Sequence, residues 1–451
     1  MKTSSLVSLV LFCGSAVVAF AAGAAGKPNV IFILADDLGY GDVGVFGQKL
    51  IKTPHIDRLA AEGTKFVQAY AGATVCAPSR CNLMTGKHGG HAYIRGNREI
   101  KPEGQEPMPA DTFTVAHLMK KAGYTTGIIG KWGLGKPESA SVPTKMGFDY
   151  FFGYNCQLRA HEYYPDHLWR NDEIVPLDGK TYSHDLMANE ALEFVRRSKD
   201  QPFFLYLAFT IPHQKLQVPD LGPYENEAWP ENLKTIAAMI TRMDRDIGRL
   251  MSLLKELNLD ENTLVVFNSD NGAVYRDTTF NHSGPLRGFK RDMYEGGIRT
   301  PSIARWPGKV KAGATSEQVW AFWDVMPTLA ELVGQKAPGD SDGISVLAGW
   351  LGQKTIPHPP MYWEFHEGGF FQAARIGDWK AVRLGTKKPI ELYDLKADPG
   401  EARDVAAQNP AVVKQLEDYI KGARFDSALW PINENVPPRK GGGGKKKAPG
   451  E

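Results

Sequence analysis

Five short segments carry the residues with the most chemistry to offer. Asp36-Asp37 follows the apolar run Val30–Leu34, and Gly130-Lys131-Trp132 follows Thr125–Ile129. Ile211-Pro212-His213 follows Phe203–Phe209, and Asn268-Ser269-Asp270-Asn271-Gly272 follows Leu264–Phe267. Each run reads as a buried strand, and open α/β sheets bind ligands beyond the carboxyl ends of their strands. Two acidic pairs brought together there would repel unless a metal sat between them. An all-oxygen ligand set suits a hard cation, Ca²⁺ or Mg²⁺. The alternative is that Asp36, Asp37, Asp270 and Asn271 are turn formers and helix caps. The fifth segment is Cys76-Ala77-Pro78-Ser79-Arg80. Pro78 fits an early helical position, so Cys76 stands near a helix N-terminus, where the local field favours an anion. Arg80, one turn on, could bind an anionic oxygen or fix the loop. Here the alternative is an inert buried cysteine before an ordinary helix.

The elements that must position these groups alternate short apolar runs with helical patterns from residue 27 to 336. That rhythm predicts an α/β unit with a mainly parallel sheet covered by helices on both faces. Within Glu231–Leu259, residues Ile236, Ile240, Met243, Ile247, Leu250, Leu254 and Leu257 share one helical face. Trp323–Leu332 reads as another helix. A smaller α+β unit is expected over 337–436, with strands at Pro360–Phe365, Gln372–Ile376, Lys380–Arg383 and Ile390–Tyr393. A helix follows from Pro410 to about Ile420, with Asn409 as N-cap. Residues 437–451 read as a disordered Gly/Lys-rich tail.

Residues 1–26 have the build of a secretory signal: Lys2, an apolar stretch from about Leu6 to Phe20, then small residues. The apolar run is short for a spanning helix, so no transmembrane anchor is expected after leader cleavage, and the mature chain is expected to be periplasmic or secreted. Of 451 residues, 53 are Lys or Arg and 51 are Asp or Glu. Lys2 and the tail account for the excess of positive charge, and the remaining body carries 47 positive and 50 negative charges. A nucleic-acid partner is disfavoured on that balance. Removing the leader also removes Cys13, which leaves Cys76, Cys81 and Cys156, an odd number. Pairing of Cys81 with Cys156 stays open.

The segment Cys76-Ala77-Pro78-Ser79-Arg80 resembles the Cys-x-Pro-x-Arg signature of type I sulfatases. The resemblance extends through Asp36-Asp37-Leu38-Gly39-Tyr40-Gly41, Gly123-Tyr124-Thr125-Thr126, Gly130-Lys131-Trp132, Asp270-Asn271-Gly272, Leu286-Arg287-Gly288-Phe289-Lys290, Tyr294-Glu295-Gly296-Gly297 and Leu392-Tyr393-Asp394-Leu395. It implies an alkaline-phosphatase-like fold and hydrolysis of sulfate esters, with an O-sulfated carbohydrate as substrate. It implies that a formylglycine-generating maturation enzyme oxidises Cys76, and that the hydrate of formylglycine (3-oxoalanine) is the nucleophile. By the same resemblance, Asp36, Asp37, Asp270 and Asn271, with the modified Cys76, hold Ca²⁺. Arg80 supports the nucleophile, Lys131 binds it and the sulfate, and His213 and Lys290 contact sulfate and leaving group.

One position departs from the family pattern. Gly133 stands in Gly130-Lys131-Trp132-Gly133-Leu134-Gly135 where a histidine is usual. His161, His91 and His88 are the substitutes on offer, and His161 is preferred because its segment is rich in aromatic residues. Arg95, His161, His366 and Arg375 are expected substrate contacts, each with a structural role as the alternative. Two other functions stay in view: a phosphonate or phosphate monoester hydrolase of the same superfamily, and a non-catalytic protein that binds sulfated glycans.

Overall fold

Alternate residues of the central strands separate into two apolar layers. Ile31, Ile33, Leu205, Leu207, Val265 and Phe267 face one way, while Val30, Phe32, Leu34, Phe204, Tyr206, Leu264 and Val266 face the other. A strand buried on both faces must be apolar at every position, which is why these segments read as continuous runs. The first layer is closed by helices Ser183–Ser198 and Glu231–Glu256. The second is closed by Cys76–Thr85, Val115–Lys121 and Val325–Leu332. A computed structural model of the chain describes residues 26–433. The expected tail, and the expected leader apart from Gly26, lie outside the described residues. Among the described residues, no helix is long and apolar enough to cross a membrane.

The large sheet has ten strands. From edge to edge they are Ala314–Ser316, Thr64–Phe66, Ser302–Arg305, Thr263–Ser269, Asn29–Asp36, Phe203–Pro212, Thr125–Lys131, Tyr150–Tyr154, His167–Arg170 and Glu173–Pro176. The five from Thr263–Ser269 to Tyr150–Tyr154 are parallel, and antiparallel pairs flank them on each side. The expected mixed, mainly parallel sheet with helices on both faces is therefore present. In register, Ala35 lies beside Ser269 and Asp36 beside Pro212. The polar segments that follow these strands thus open onto one edge of the sheet.

A second sheet is antiparallel, in the order Met361–Phe365, Phe371–Ile376, Trp379–Arg383 and Glu391–Asp394. One face packs on the helix Pro410–Gly422 through Leu416 and Ile420. The other packs Trp363 and Tyr393 among Tyr70, Val75 and Trp323, and the Trp363 indole donates to the Ala71 carbonyl at 3.0 Å. This sheet therefore braces the loop that leads into Cys76. One expectation is corrected in part, since Asn409 does hold the N-cap position, and one open question is closed. Asn409 makes no side-chain cap, its amide turning back to the Val405 carbonyl instead. Cys81 and Cys156 are free buried thiols and do not pair.

Candidate functional site

The strand Asn29–Asp36 ends where Asp37 turns into the left-handed region at φ 68°. Neighbouring side chains on a strand point to opposite faces. The turn lets both carboxylates reach one centre, and aspartate tolerates this conformation better than most residues. The next loop is pinned from a distance: Leu38 N–H donates to Ser269 Oγ at 2.9 Å, and Gly41 N–H to the His282 carbonyl at 2.7 Å. Asp270 Oδ1 accepts the Asp37 N–H at 3.2 Å, and Asp37 Oδ1 accepts the Asn271 amide at 2.7 Å. The two acidic segments, more than 230 residues apart in sequence, are thus bonded directly to each other.

Cys76 opens a ten-residue helix whose every residue is buried. Its Sγ lies 3.2 Å from Asp36 Oδ1, 4.0 Å from Asp37 Oδ1 and 3.4 Å from Lys290 Nζ. The following N–H, from Ala77, donates to Asn97 Oδ1 at 3.1 Å. Arg80 donates to Asp270 Oδ2 through Nε at 3.0 Å and through a terminal nitrogen at 2.8 Å, and to the Lys131 carbonyl at 2.8 Å. Lys131 Nζ reaches Asp36 Oδ2 at 2.5 Å, and Lys290 Nζ reaches Asp37 Oδ1 at 2.5 Å. All the expected catalytic and metal-binding positions except His161 therefore meet around one buried point, and His161 joins from the rim.

Burial raises the Asp36 carboxyl, but Lys131, His213, Arg80 and Lys290 outweigh it and hold the group well below the usual range. Asp270 is pushed up to about 6 by burial and by Asp36, against Arg80. Burial, with Asp270 and Asp36 beside it, holds the Cys76 thiol well above its ordinary value. A protonated thiol is a poor nucleophile. Burial lowers the His213 imidazole to about 4, although Asp37 opposes it. His213 Nδ1 lies 2.5 Å from the Gln214 carbonyl, which can only accept. Nδ1 therefore carries the proton, and Nε2 turns a bare lone pair toward Asp37 Oδ2 at 3.5 Å.

His161 stacks on His213 with ring centroids 4.1 Å apart, and its imidazole is lowered to about 3 by burial and then by His213. Both rings line a cavity of about 810 Å³ whose floor includes Lys290. The other two histidines offered by the sequence lie elsewhere. His88 and His91 stack on each other beside Asp342, and His88 meets Trp323 and Tyr362 edge-on. Gly133 has a local cause: at φ 72° its backbone is left-handed, and a Cβ would stand 2.4 Å from the Gln157 amide. Gln157 fills the place a side chain at 133 would need.

Three expected substrate contacts are placed away from this cavity. Arg95 pairs with Glu364 at 3.0 Å and donates to the Phe425 carbonyl. His366 also meets Glu364, at 2.9 Å, and packs by Phe370 and Trp430. Arg375 donates to the Tyr70 hydroxyl at 2.6 Å, to Gln68 and to the Gly377 carbonyl. Arg95 and Arg375 are taken by partners that join the small sheet to the rest of the molecule, and His366 is held by an acid of that sheet's own first strand. Asn97 and Glu367 end two segments expected to contact substrate, whereas sequence reasoning missed Gln157, which reaches Gly133 only through folding, and Arg291, which follows Lys290 directly but carries no motif signal.

A family model described as Sulfatase matches residues 28–335, and one described as N-sulphoglucosamine sulphohydrolase, C-terminal, matches 288–425. The N-acetylgalactosamine-6-O-sulfatase of Bacteroides thetaiotaomicron is 30% identical, over 88% of this chain and 93% of that protein. The N-acetylgalactosamine-6-sulfatase of Homo sapiens is 34% identical, over 93% and 91%. Among solved structures, Ps i-CgsB in complex with k-i-k-neocarrahexaose has a TM-score of 0.80 at 31% identity, covering 91% of this chain and 95% of its own. The first match takes in every buried group from Asp36 to Lys290, and the chain belongs to the type I sulfatase family of the alkaline phosphatase superfamily, a family of sulfuric ester hydrolases.

Proposed function

We propose that this chain hydrolyses O-sulfate esters of a carbohydrate, with Cys76 matured to formylglycine and Ca²⁺ held by Asp36, Asp37, Asp270 and Asn271. One observation carries the reading. Asp37 Oδ2 and Asn271 Oδ1 are buried acceptors with no hydrogen-bond partner, and both residues belong to the cluster around Cys76. Buried acceptors without donors are costly. The ligand atoms available from Asp36, Asp37, Cys76 and His213 lie within 4.8 Å of one another. A hard cation fits this oxygen-rich donor set. It would supply fixed positive charge to an anionic ester, and formylglycine would supply a hydrated aldehyde in place of the inert thiol.

The side chains would then divide the work. Lys131 and Lys290 lie against Asp36 and Asp37 and can neutralise sulfate oxygens; burial opposes the Lys290 charge, but Asp37 and its neighbours outweigh it and raise its pKa. Arg80 is consumed by Asp270 and the Lys131 carbonyl, which fixes it as the brace for the nucleophile's helix. His213, neutral with Nε2 bare, is set to take a proton from the nucleophile's oxygen and return one to the departing alcohol. His161 stacks behind it and holds the ring's angle. Gln157 occupies the space beside Gly133, so the missing histidine is a repacked position and does not favour a binding-only protein.

Under this reading residues 27–336 form the catalytic unit and 337–436 the C-terminal unit. The chain is exported, and it meets a formylglycine-generating enzyme before it folds, because Cys76 is buried afterwards. The relatives named for N-acetylgalactosamine-6-sulfatase support a sulfated sugar as the substrate. The test joins mass spectrometry of the Cys76 peptide to assays on matched sulfate, phosphate and phosphonate esters. An aldehyde at position 76 with strong preference for sulfate is expected. A matured enzyme that prefers phosphonate by orders of magnitude overturns the assignment.

A further inference from the structure

The cavity above Lys290 holds more cationic groups than one sulfate ester needs. Arg159, Lys215 and Arg291 line it together with Lys290, and Glu162 is the acid among the lining residues. Lys215 is paired with Glu162 at 2.5 Å. That leaves Arg159 and Arg291. Arg159 meets Asp166 at 3.3 Å, but Asp166 is 68% exposed, so solvent screens the pair.

Arg291 is the more informative of the two. It follows Lys290 directly and has φ 77°, a left-handed backbone that a long side chain rarely adopts. Its N–H is held by Thr74, through the carbonyl at 3.1 Å and Oγ1 at 2.8 Å. Its Nε is buried with no hydrogen-bond partner. That Nε faces Glu367 Oε2 at 3.7 Å, an ion pair too long for a hydrogen bond, and the other oxygen of Glu367 accepts the Asn97 N–H at 2.8 Å. Strain of this kind persists where the surrounding structure imposes it and is concentrated at functional sites.

We propose that Arg291 and Arg159 form a second anion subsite, so that the substrate carries another negative group, a uronate carboxylate or a further sulfate, near the sulfate that is cleaved. The proposal rests on the sulfated-carbohydrate reading above and narrows it to polyanionic saccharides. A guanidinium fork suits either group, since both offer two oxygens in one plane. A volume of about 810 Å³ accommodates more than one sugar ring. Lys290 takes the reacting sulfate, and Arg291, one residue on, takes the neighbouring charge.

The test is calorimetric binding to the full chain carrying Cys76→Ala, with Ca²⁺ present and turnover blocked. Two pairs of probes separate the two sources of charge. One pair is N-acetylglucosamine 6-sulfate against glucosamine 2-N,6-O-disulfate. The other is a uronate-containing 6-sulfated disaccharide against its methyl ester. At least one pair should favour the doubly charged partner about tenfold or more, and Arg291→Gly and Arg159→Gln should each remove most of that advantage. Arg291→Gly also relaxes the left-handed backbone, so its thermal midpoint should hold or rise. No advantage in the parent, an undiminished advantage in both variants, or no binding of any probe each overturns the subsite. The sulfatase reading is judged separately, by turnover of the matured parent enzyme.

Discussion

Two buried clusters of charge sit a few residues apart on the chain and behave differently. The first gathers Asp36, Asp37 and Asp270 with Arg80, Lys131 and Lys290 around Cys76. The second gathers Glu295 and Glu401 with Lys380, Arg299, Arg375 and the Tyr70 hydroxyl, and ties the small sheet to the large unit. Crowding does not separate them. Asp270 is pushed up to about 6 by burial and Asp36, and Glu401 to about 7 by burial against the pull of Lys380. What separates them is completion. Lys380 bridges Glu295 at 2.9 Å and Glu401 at 2.8 Å, Glu295 also accepts from Tyr70 at 2.7 Å, and Glu401 accepts the Glu295 N–H at 2.6 Å. Three of the four carboxylate oxygens there accept hydrogen bonds, and the fourth, Glu401 Oε1, faces the Lys380 ammonium at 2.8 Å. In the first cluster Asp37 Oδ2 and Asn271 Oδ1 accept no hydrogen bond. A strut sets a cation against each of its acids, whereas a site leaves acceptors for something that arrives.

The sharpest way to break this contrast is to remove the group at the centre of the first cluster. Cys76→Ala should lower sulfatase activity by at least about four orders of magnitude, because it removes the nucleophile of the proposed mechanism. Its thermal midpoint should stay close to the parent's, since the thiol fills little of the core. Activity within tenfold of the parent would contradict the assignment. Removing the cation comes next. Exhaustive chelation should cut activity by roughly 100-fold or more, and Ca²⁺ should restore it. It should also lower the thermal midpoint, because an ion present at about 100 times its Kd adds about 2.7 kcal/mol to the folded state. Full activity in a demonstrably metal-free enzyme would take the ion out of the site.

The contrast also explains what could be read from the sequence. Asp36, His213 and Asp270 were legible because each lies just beyond a continuous apolar run, and Lys131 because it ends a short strand of Thr, Gly and Ile; strand ends are where an α/β sheet exposes polar groups. The strands run beyond the apolar residues, so that Asp36, Lys131 and Ser269 still belong to them. Periodicity sees only the apolar part. Arg95 and Arg375 were misread for a different reason. A cation in an aromatic segment looks the same whether it faces a ligand or a buried acid, and the partner that decides, Glu364 for Arg95, lies 269 residues away. Gln157 behind Gly133 and the Arg291 Nε left without a hydrogen bond were invisible for the same reason: both are facts about distant neighbours. Of the small sheet, the strands were legible and the ion cluster beneath it was not.

Breaking the strut should have the opposite signature to breaking the site. Lys380→Met leaves Glu295 and Glu401 facing each other without their shared cation, and removal of one partner from a buried pair costs roughly 3–5 kcal/mol. The kcat/KM of the protein that remains folded should stay within about threefold of the parent, because no cavity-lining group is moved. Equilibrium unfolding and kinetics below the transition measure the two effects apart. A large fall in kcat/KM with stability intact would place this cluster in the site and dissolve the distinction.

A smaller effect is expected at a third cluster, which belongs to neither class. His282 lies between Asp42 and Asp277, with Nε2 at 2.6 Å from Asp277, and its own carbonyl anchors the Gly41 N–H just after the Asp36-Asp37 turn. Burial opposes protonation of His282, but Asp42 and Asp277 outweigh it and raise its pKa to about 10. The folded state therefore holds this proton more tightly than an unfolded histidine does at about 6.5. The stabilisation is fully present below that lower value and is lost as pH rises through the higher one. His282→Gln keeps the ring's volume in part but cannot carry charge. It should cost about 1–3 kcal/mol near neutral pH and flatten the decline in thermal midpoint between about pH 7 and 10, so that the two proteins converge at the alkaline end. Parallel profiles across that range would mean that His282 is neutral in the folded chain, and that the loop holding Asp36 and Asp37 is secured without its charge, by bonds such as Leu38 N–H to Ser269 Oγ.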